Sequence, residues 1–259
     1  MLYCIFDSVI GDDVLESFDI RSLIRLLFSF NENNCITQSI YKILNNRDKI
    51  EWNEIRDITF SRDFVREFQD RVDWYWISRY QKLTEALIRE FRNRVDWARI
   101  SEYQNMSEAF IREFRDRVDW KCVSLCQKLS ENFIREFRDM VDWRCVSLCQ
   151  KLSGAFVRES RDRVHWKWIS HKQNLSEDFI REFRDRIDWW NISYRQELSK
   201  GFIREFRNRV IWSSISYRQE LSESFIREFR DRVDWYYISR YQDLSNRFIR
   251  EFRNRVYKS

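Results

Sequence analysis

Phe-Ile-Arg-Glu-Phe-Arg-Asp-Arg-Ile-Asp-Trp occupies residues 179–189. With small changes the same stretch recurs along most of the chain, and its spacing decides the fold. Its Trp stands at 74, 97, 120, 143, 166, 189, 212 and 235, always 23 residues apart. Trp52 lies 22 before Trp74, so a copy one residue short opens the array. The leading Phe recurs at 64, 110, 133, 156, 179, 202, 225 and 248, with Leu87 in the remaining slot. A fixed period of this size is the signature of a solenoid or array, in which each unit buries its apolar face only against its neighbours.

Two helices fit into 23 residues. The first is expected to start at Ser107, Ser130, Ser176 or Ser222, a good N-cap, with an acidic residue following in several copies. In the copy at 179 its apolar residues Phe179, Ile180, Phe183 and Ile187 follow the spacing of one helical face. The second is expected to start at the Asp before each Trp and to run about two turns to an unvarying Gln, Gln81 through Gln242. The chain has no Pro and only 3 Gly in 259 residues. That excludes a fold built on Gly and Pro turns, and period-2 alternation is missing, so a β-solenoid is disfavoured. The expectation is an all-α protein, an α-solenoid of 23-residue two-helix repeats over 52–259. Residues 1–51 are expected to form an N-terminal helical cap, with apolar helical stretches near Val14–Phe30 and Thr37–Leu44. The half-repeat from Phe248 to Val256 is expected to seal the other end.

The units LSEDFIREFRDRIDWWNIS and LSESFIREFRDRVDWYYIS resemble the short tandem repeats of predicted proteins from giant DNA viruses of amoebae. The resemblance covers about residues 52–256. It implies an α-helical repeat protein, a partner of host origin and action in the host cytoplasm, and it implies no catalytic activity. Some viral repeat proteins of this kind carry an F-box-like segment at one end. The Leu-rich helical character of residues 7–45 is compatible with that, although the Leu-Pro opening of an F-box is absent. This gives an alternative reading, a substrate adaptor of a ubiquitin ligase.

The units differ in an ordered way. Counting each Trp as zero, offsets +3, +4, +7 and +9 are nearly fixed as Ile/Val, Ser, Gln and Leu, whereas +1, +2, +5 and +6 vary. The variable offsets share a helical face. They are rich in the residue types that dominate interaction hot spots. The candidate partner-binding residues are therefore Tyr75, Trp76, Tyr80, Tyr103, Trp168, Trp190, Tyr194, Tyr217, Tyr236, Tyr237 and Tyr241.

Arg66, Arg89, Arg112, Arg135, Arg158, Arg181, Arg204, Arg227 and Arg250 also repeat at 23, each followed by Glu. A stacked Arg spine suits a nucleic-acid backbone. A Glu beside every Arg cancels the field, so the preferred reading is Arg–Glu pairing between neighbouring helices, with Arg stems covering apolar surface. Residues 1–51 carry 8 acidic and 5 basic side chains, which leaves +8 for the remainder out of a net +5. No concentrated basic stripe of a dedicated nucleic-acid binder stands out.

Cys122/Cys126 and Cys145/Cys149 are two Cys-x3-Cys pairs one period apart. Four thiolates are a zinc donor set. Both pairs lie at variable offsets in two units that look like recent duplicates, so no metal and no cofactor are expected. The unit at 153–166 departs most from the pattern: Gly154 enters the helix start, Ser160 replaces a core Phe and His165 replaces the Asp cap. A soft or bent point is expected there. His165 and His171 are the only histidines, and neither sits in a nucleophile–acid pattern. Gly-rich phosphate loops and metalloprotease motifs are missing, so the chain reads as non-enzymatic. No apolar run approaches a membrane span. The N-terminus Met-Leu-Tyr-Cys-Ile-Phe-Asp lacks the features of a signal peptide, so an intracellular protein is expected.

Overall fold

A computed structural model describes residues 60–256 continuously, and before them only 18, 19, 22–24, 40 and 44. Most of the expected cap over 1–51, its F-box-like reading, Trp52 and the final Tyr-Lys-Ser lie outside the described residues. Within the cap region residues 22–24, 40 and 44 are helical. The backbone N–H and hydroxyl of Ser22 donate to the Asp19 carboxylate at 2.7 and 3.2 Å. Leu23, Ile24, Ile40 and Leu44 are fully buried. Arg71 Nη1 donates to the Leu44 carbonyl at 2.7 Å, which ties this region to the first described repeat.

The chain forms two compact units, Met1–Gln127 and Lys128–Ser259. The described helices of the first unit are α1 (Arg62–Glu67), α2 (Trp74–Tyr80), α3 (Glu85–Glu90), α4 (Trp97–Tyr103), α5 (Glu108–Glu113) and α6 (Trp120–Cys126). The second unit continues with α7 (Glu131–Glu136), α8 (Trp143–Cys149), α9 (Gly154–Glu159), α10 (Trp166–Lys172), α11 (Glu177–Glu182) and α12 (Trp189–Arg195). It ends with α13 (Lys200–Glu205), α14 (Trp212–Arg218), α15 (Glu223–Glu228), α16 (Trp235–Tyr241) and α17 (Asn246–Glu251). Among the described residues there are no strands. In the first unit α2 packs on α4 and α4 on α6; in the second α8, α10, α12, α14 and α16 pack each on the next. This is the expected α-solenoid of helix pairs.

The caps explain why such short helices form. Each first helix has six residues and each second helix seven, too short to persist alone. Every first helix is opened by Ser or Thr, whose hydroxyl accepts from the N–H three residues on, as Ser176 does from Phe179 at 3.2 Å. Asp opens the second helices in the same way, as Asp119 does for Cys122 at 2.9 Å, except α10 and α14, which start at His165 and Ile211. Among the described residues no backbone φ is positive. The turns therefore need neither Gly nor Pro, which accounts for the composition.

The first helix is shorter than its apolar pattern implies. Regular helix stops at Glu182, and Phe183 closes it at φ −109°, ψ 24°. Ile187 reaches the core through a tight turn in which Arg186 N and Ile187 N both donate to the Phe183 carbonyl, at 2.9 and 3.1 Å. Phe179, Ile180, Phe183 and Ile187 are nevertheless all buried, as the sequence spacing requires.

The expected bend at 153–166 is not present. Ser160 closes its helix at φ −98°, ψ 17°, close to the phenylalanines at the same place. Its N–H still donates to the Phe156 carbonyl at 2.9 Å. The backbone hydrogen bonds that set this turn do not involve the side chain, so losing the ring leaves empty space rather than a kink.

Candidate functional site

The nearly fixed residues hold repeat to repeat. Gln104 Oε1 accepts from Leu83 N at 2.9 Å, and its Nε2 donates to the carbonyls of Ser78 and Gln81 at 2.9 and 2.7 Å. Gln196 repeats this in the second unit with Leu175 N and the Gln173 carbonyl, at 3.1 and 2.9 Å. The buried serines work with them. Ser101 donates its hydroxyl to the Trp97 carbonyl at 2.7 Å and accepts from Asp119 N at 2.9 Å. Trp189 Nε1 donates to the Arg184 carbonyl at 3.0 Å, and Arg209 of the next repeat donates to that same oxygen at 2.8 Å. Gln and Ser thus look polar in sequence but belong to the core. A polar residue that never varies at a helix end was the only sequence signal for this staple.

The Arg ladder is structural. Arg158 Nε reaches Glu182 at 2.7 Å, Arg181 reaches Glu205 at 2.8 Å and Arg135 reaches Glu159 at 2.8 Å, each one repeat on. The same guanidinium groups lie over the next repeat's ring, Arg158 over Phe179 and Arg181 over Phe202, both at 5.1 Å. Glu205 hydrogen bonding raises the Arg181 guanidinium above its ordinary value, and Arg204 holds Glu228 below the usual carboxylate range. Arg66, Arg89, Arg135, Arg158, Arg181, Arg204 and Arg227 are each compensated in this way by the Glu one repeat on.

In the first unit Tyr75, Tyr80 and Tyr103 are exposed, as the variable-face reading requires. Arg79 lies between the rings of Tyr80 and Tyr103, at 5.1 and 5.0 Å, and donates to the Tyr75 hydroxyl at 3.1 Å. Arg99 lies over Tyr75 at 5.2 Å. Arg79, Tyr80, Leu83, Tyr103 and Asn105 line an open groove of about 270 Å³. Trp76 departs from expectation: it is 4% exposed and packs against Phe60 and Tyr80 at 5.7 and 5.5 Å. Cys145, Asn191 and Ser214, at the same offset, are also buried. Offset +2 is therefore buried in four copies and half-buried at Arg99, Cys122, Trp168 and Tyr237, so it presents less surface than offset +1 or +6.

In the second unit the candidate rings form a connected row over α12, α14 and α16. Trp190 stacks on Tyr194 at 5.3 Å and 10°, and Tyr194 on Tyr217 at 6.1 Å and 18°. Tyr217 meets Tyr237 at 5.3 Å and Tyr241 at 4.8 Å, and Tyr236 meets Tyr237 at 5.3 Å. Trp190, Tyr236 and Tyr241 are about half exposed, at 52%, 54% and 49%; Tyr194, Tyr217 and Tyr237 are half-buried beneath them. Arg218 lies over Tyr194 and Tyr217 at 5.4 and 5.8 Å, Arg195 over Tyr194 at 5.6 Å and Arg240 over Tyr241 at 6.0 Å. Trp168 is half-buried and packs instead against His165 and His171, at 6.3 and 5.8 Å.

The charge on the variable offsets is one-sided. In the eight copies from Trp74 to Trp235, Arg79, Arg99, Lys121, Arg144, Lys167, Lys172, Arg195, Arg218 and Arg240 are basic, and only Glu102 is acidic. Arg99 pairs with Glu102 at 2.5 Å. Among the described residues no carboxylate pairs with Arg79, Arg195, Arg218 or Arg240. Sequence reasoning about net charge missed this, because the paired residues of the first helices dilute it.

Of the paired cysteines, Cys145 is buried, Cys122 half-buried, and Cys126 and Cys149 are exposed. Burial, with the Asp119 carboxylate nearby, pushes the Cys122 thiol up to about 11. Such a thiol resists the deprotonation that zinc binding needs. Among the described residues no group of three or more His, Cys, Asp or Glu is arranged to hold a metal. No described helix is long and apolar enough to cross a membrane. No known protein family, curated protein or solved structure matches the chain.

Proposed function

We propose that this protein is a non-enzymatic repeat scaffold that binds an acidic segment of a partner protein through the variable face of its second helices. The observation that carries the reading is the row Trp190–Tyr194–Tyr217–Tyr241 with Arg195, Arg218 and Arg240 laid over it. Large rings held by one another lose little freedom on binding, and Tyr, Trp and Arg supply most binding energy at protein interfaces. Arginines without carboxylate partners favour Asp and Glu on the incoming chain. In the setting implied by the resemblance to giant-virus repeats, that chain is a host protein and the encounter takes place in the host cytoplasm.

A photo-crosslinking residue placed at Tyr236 tests this against one placed at Glu182 on the compensated ladder. The reading expects a discrete adduct from the first position, lost when Arg195, Arg218 and Arg240 are changed to Ser. Equal labelling from both positions sinks it. Stacked rings flanked by Arg also suit single-stranded nucleic acid, which gives a second reading. Oligonucleotide binding at low salt that weakens steeply as salt rises favours that reading, and no retention at low salt removes it.

A further inference from the structure

The place vacated at Ser160 is a formed pocket. In the second unit Trp166, Trp189, Trp212 and Trp235 each pack on a phenylalanine one repeat on, Phe183, Phe206, Phe229 and Phe252, with ring centroids 4.8–5.0 Å apart. Trp143 is the exception, because Ser160 stands where that ring belongs. Its indole keeps the other contact, stacking on Phe156 at 6.2 Å and 18°. Its Nε1 is held by the Arg138 carbonyl at 2.8 Å, so the ring plane is fixed. The backbone is unchanged, and an open cavity of about 240 Å³ remains, lined by Trp143, Ser160, Arg135, Arg138, Glu159, Asp162 and Arg163.

We propose that this cavity is a binding site for an aromatic ring of phenyl size. The chain itself shows which shape fits, since four equivalent places in the same unit hold a phenyl ring against the same indole. Offset aromatic pairs at this separation are favourable beyond the area they bury. Around the mouth, Arg135 pairs with Glu159 and Arg163 with Asp139, both at 2.8 Å, so the rim is already formed without a ligand. Arg138 is the most exposed of the lining cations, and among the described residues its guanidinium meets only its neighbour Asp139, at 3.6 Å. A ring carrying a hydroxyl or a carbonyl at its outer end suits that rim. The site is independent of the second-helix face, because none of its lining residues lies at offsets +1, +2, +5 or +6. The same ring comes from a free small aromatic compound or from a Phe or Tyr side chain of another protein, and the experiment separates the two.

Saturation-transfer NMR on the full chain, with p-cresol, N-acetylphenylalaninamide and N-acetylleucinamide as probes, tests the proposal. Both aromatic probes should bind wild type saturably and the leucine probe should not. Ser160→Phe should fold, because it restores the sequence of the sibling repeats, and should weaken binding about tenfold or more. Ser160→Leu fills the space without a ring and should also block the probes. Tighter binding of N-acetylphenylalaninamide than of p-cresol assigns the site to a protein side chain, and the reverse order assigns it to a small compound. Binding unchanged in Ser160→Phe, or no saturable binding of either aromatic probe, overturns the proposal.

Discussion

Gln104 Nε2 donates to the main-chain oxygen of Gln81 at 2.7 Å, and both residues are buried although they stand 23 residues apart. Each Gln of this kind therefore finishes the helix end of the repeat before it, where a carbonyl would otherwise be buried without a donor. Gln196→Leu removes the acceptor for Leu175 N and the donor for the Gln173 carbonyl. It should cost about 1–3 kcal/mol per orphaned group in denaturant unfolding. Glu197→Ser, one residue on and exposed, should be close to neutral and serves as the control. A Gln196→Leu variant as stable as wild type would remove the staple from the account.

Caps carry a second prediction. His165 opens α10 without a side-chain cap, whereas Asp188 caps α12 through Asn191 N at 2.8 Å. The His165 backbone already has the extended conformation of a cap, φ −90° and ψ 97°. His165→Asp should therefore stabilise the chain by about 1 kcal/mol in equilibrium unfolding. Ile211 lacks a side-chain cap in the same way, and Ile211→Asp should act in the same direction. Loss of stability in both variants would contradict the role given to the cap.

Acid should loosen the repeats in one direction. Arg66 holds Glu90 below the ordinary Glu value of 4.5, Ser245 does so for Glu223, and Arg204 for Glu228. Arg186 likewise lowers Asp162 from 3.8. In the unfolded chain these carboxylates take up protons at higher pH than in the folded one, so they add stability above the unfolded values. That contribution is lost as pH falls through the lower folded values. The unfolding midpoint should be flat from neutral pH to about 5, then fall on further acidification, with added salt flattening the drop. A midpoint that rises below pH 4.5 would contradict these pairings.

Much of the fold was legible because the repeat is both local and strict. Ser and Asp caps, the Phe179–Ile180–Phe183–Ile187 spacing and the missing Gly and Pro each follow from short-range chemistry. Less legible was the part that depends on the neighbouring repeat. The double role of each Gln arises from contacts about one period away, which a single unit does not display; the early end of the first helix comes from the turn at Phe183, and the burial of Trp76 from its contacts with Phe60 and Tyr80. The same limit explains the unbent turn at Ser160. Its backbone hydrogen bonds are set by main-chain groups, so removing the ring opened a cavity instead. In the candidate site the tyrosines were found by their variability, while Arg195, Arg218 and Arg240, which meet no carboxylate among the described residues, emerged only once the ladder arginines were seen to be paired.

The central claim is that repeated residues build this protein and irregular ones bind. Substituting Trp190, Tyr194, Arg195, Tyr217, Arg218, Tyr236 and Tyr241 together by Ser and comparing both thermal unfolding and adduct formation from a crosslinker at Ser213 tests it most directly. Ser213 is exposed and lies at offset +1 within the face. The account predicts a chain that still unfolds cooperatively as a repeat array and no longer forms the adduct. An adduct of unchanged yield from the substituted chain would contradict it.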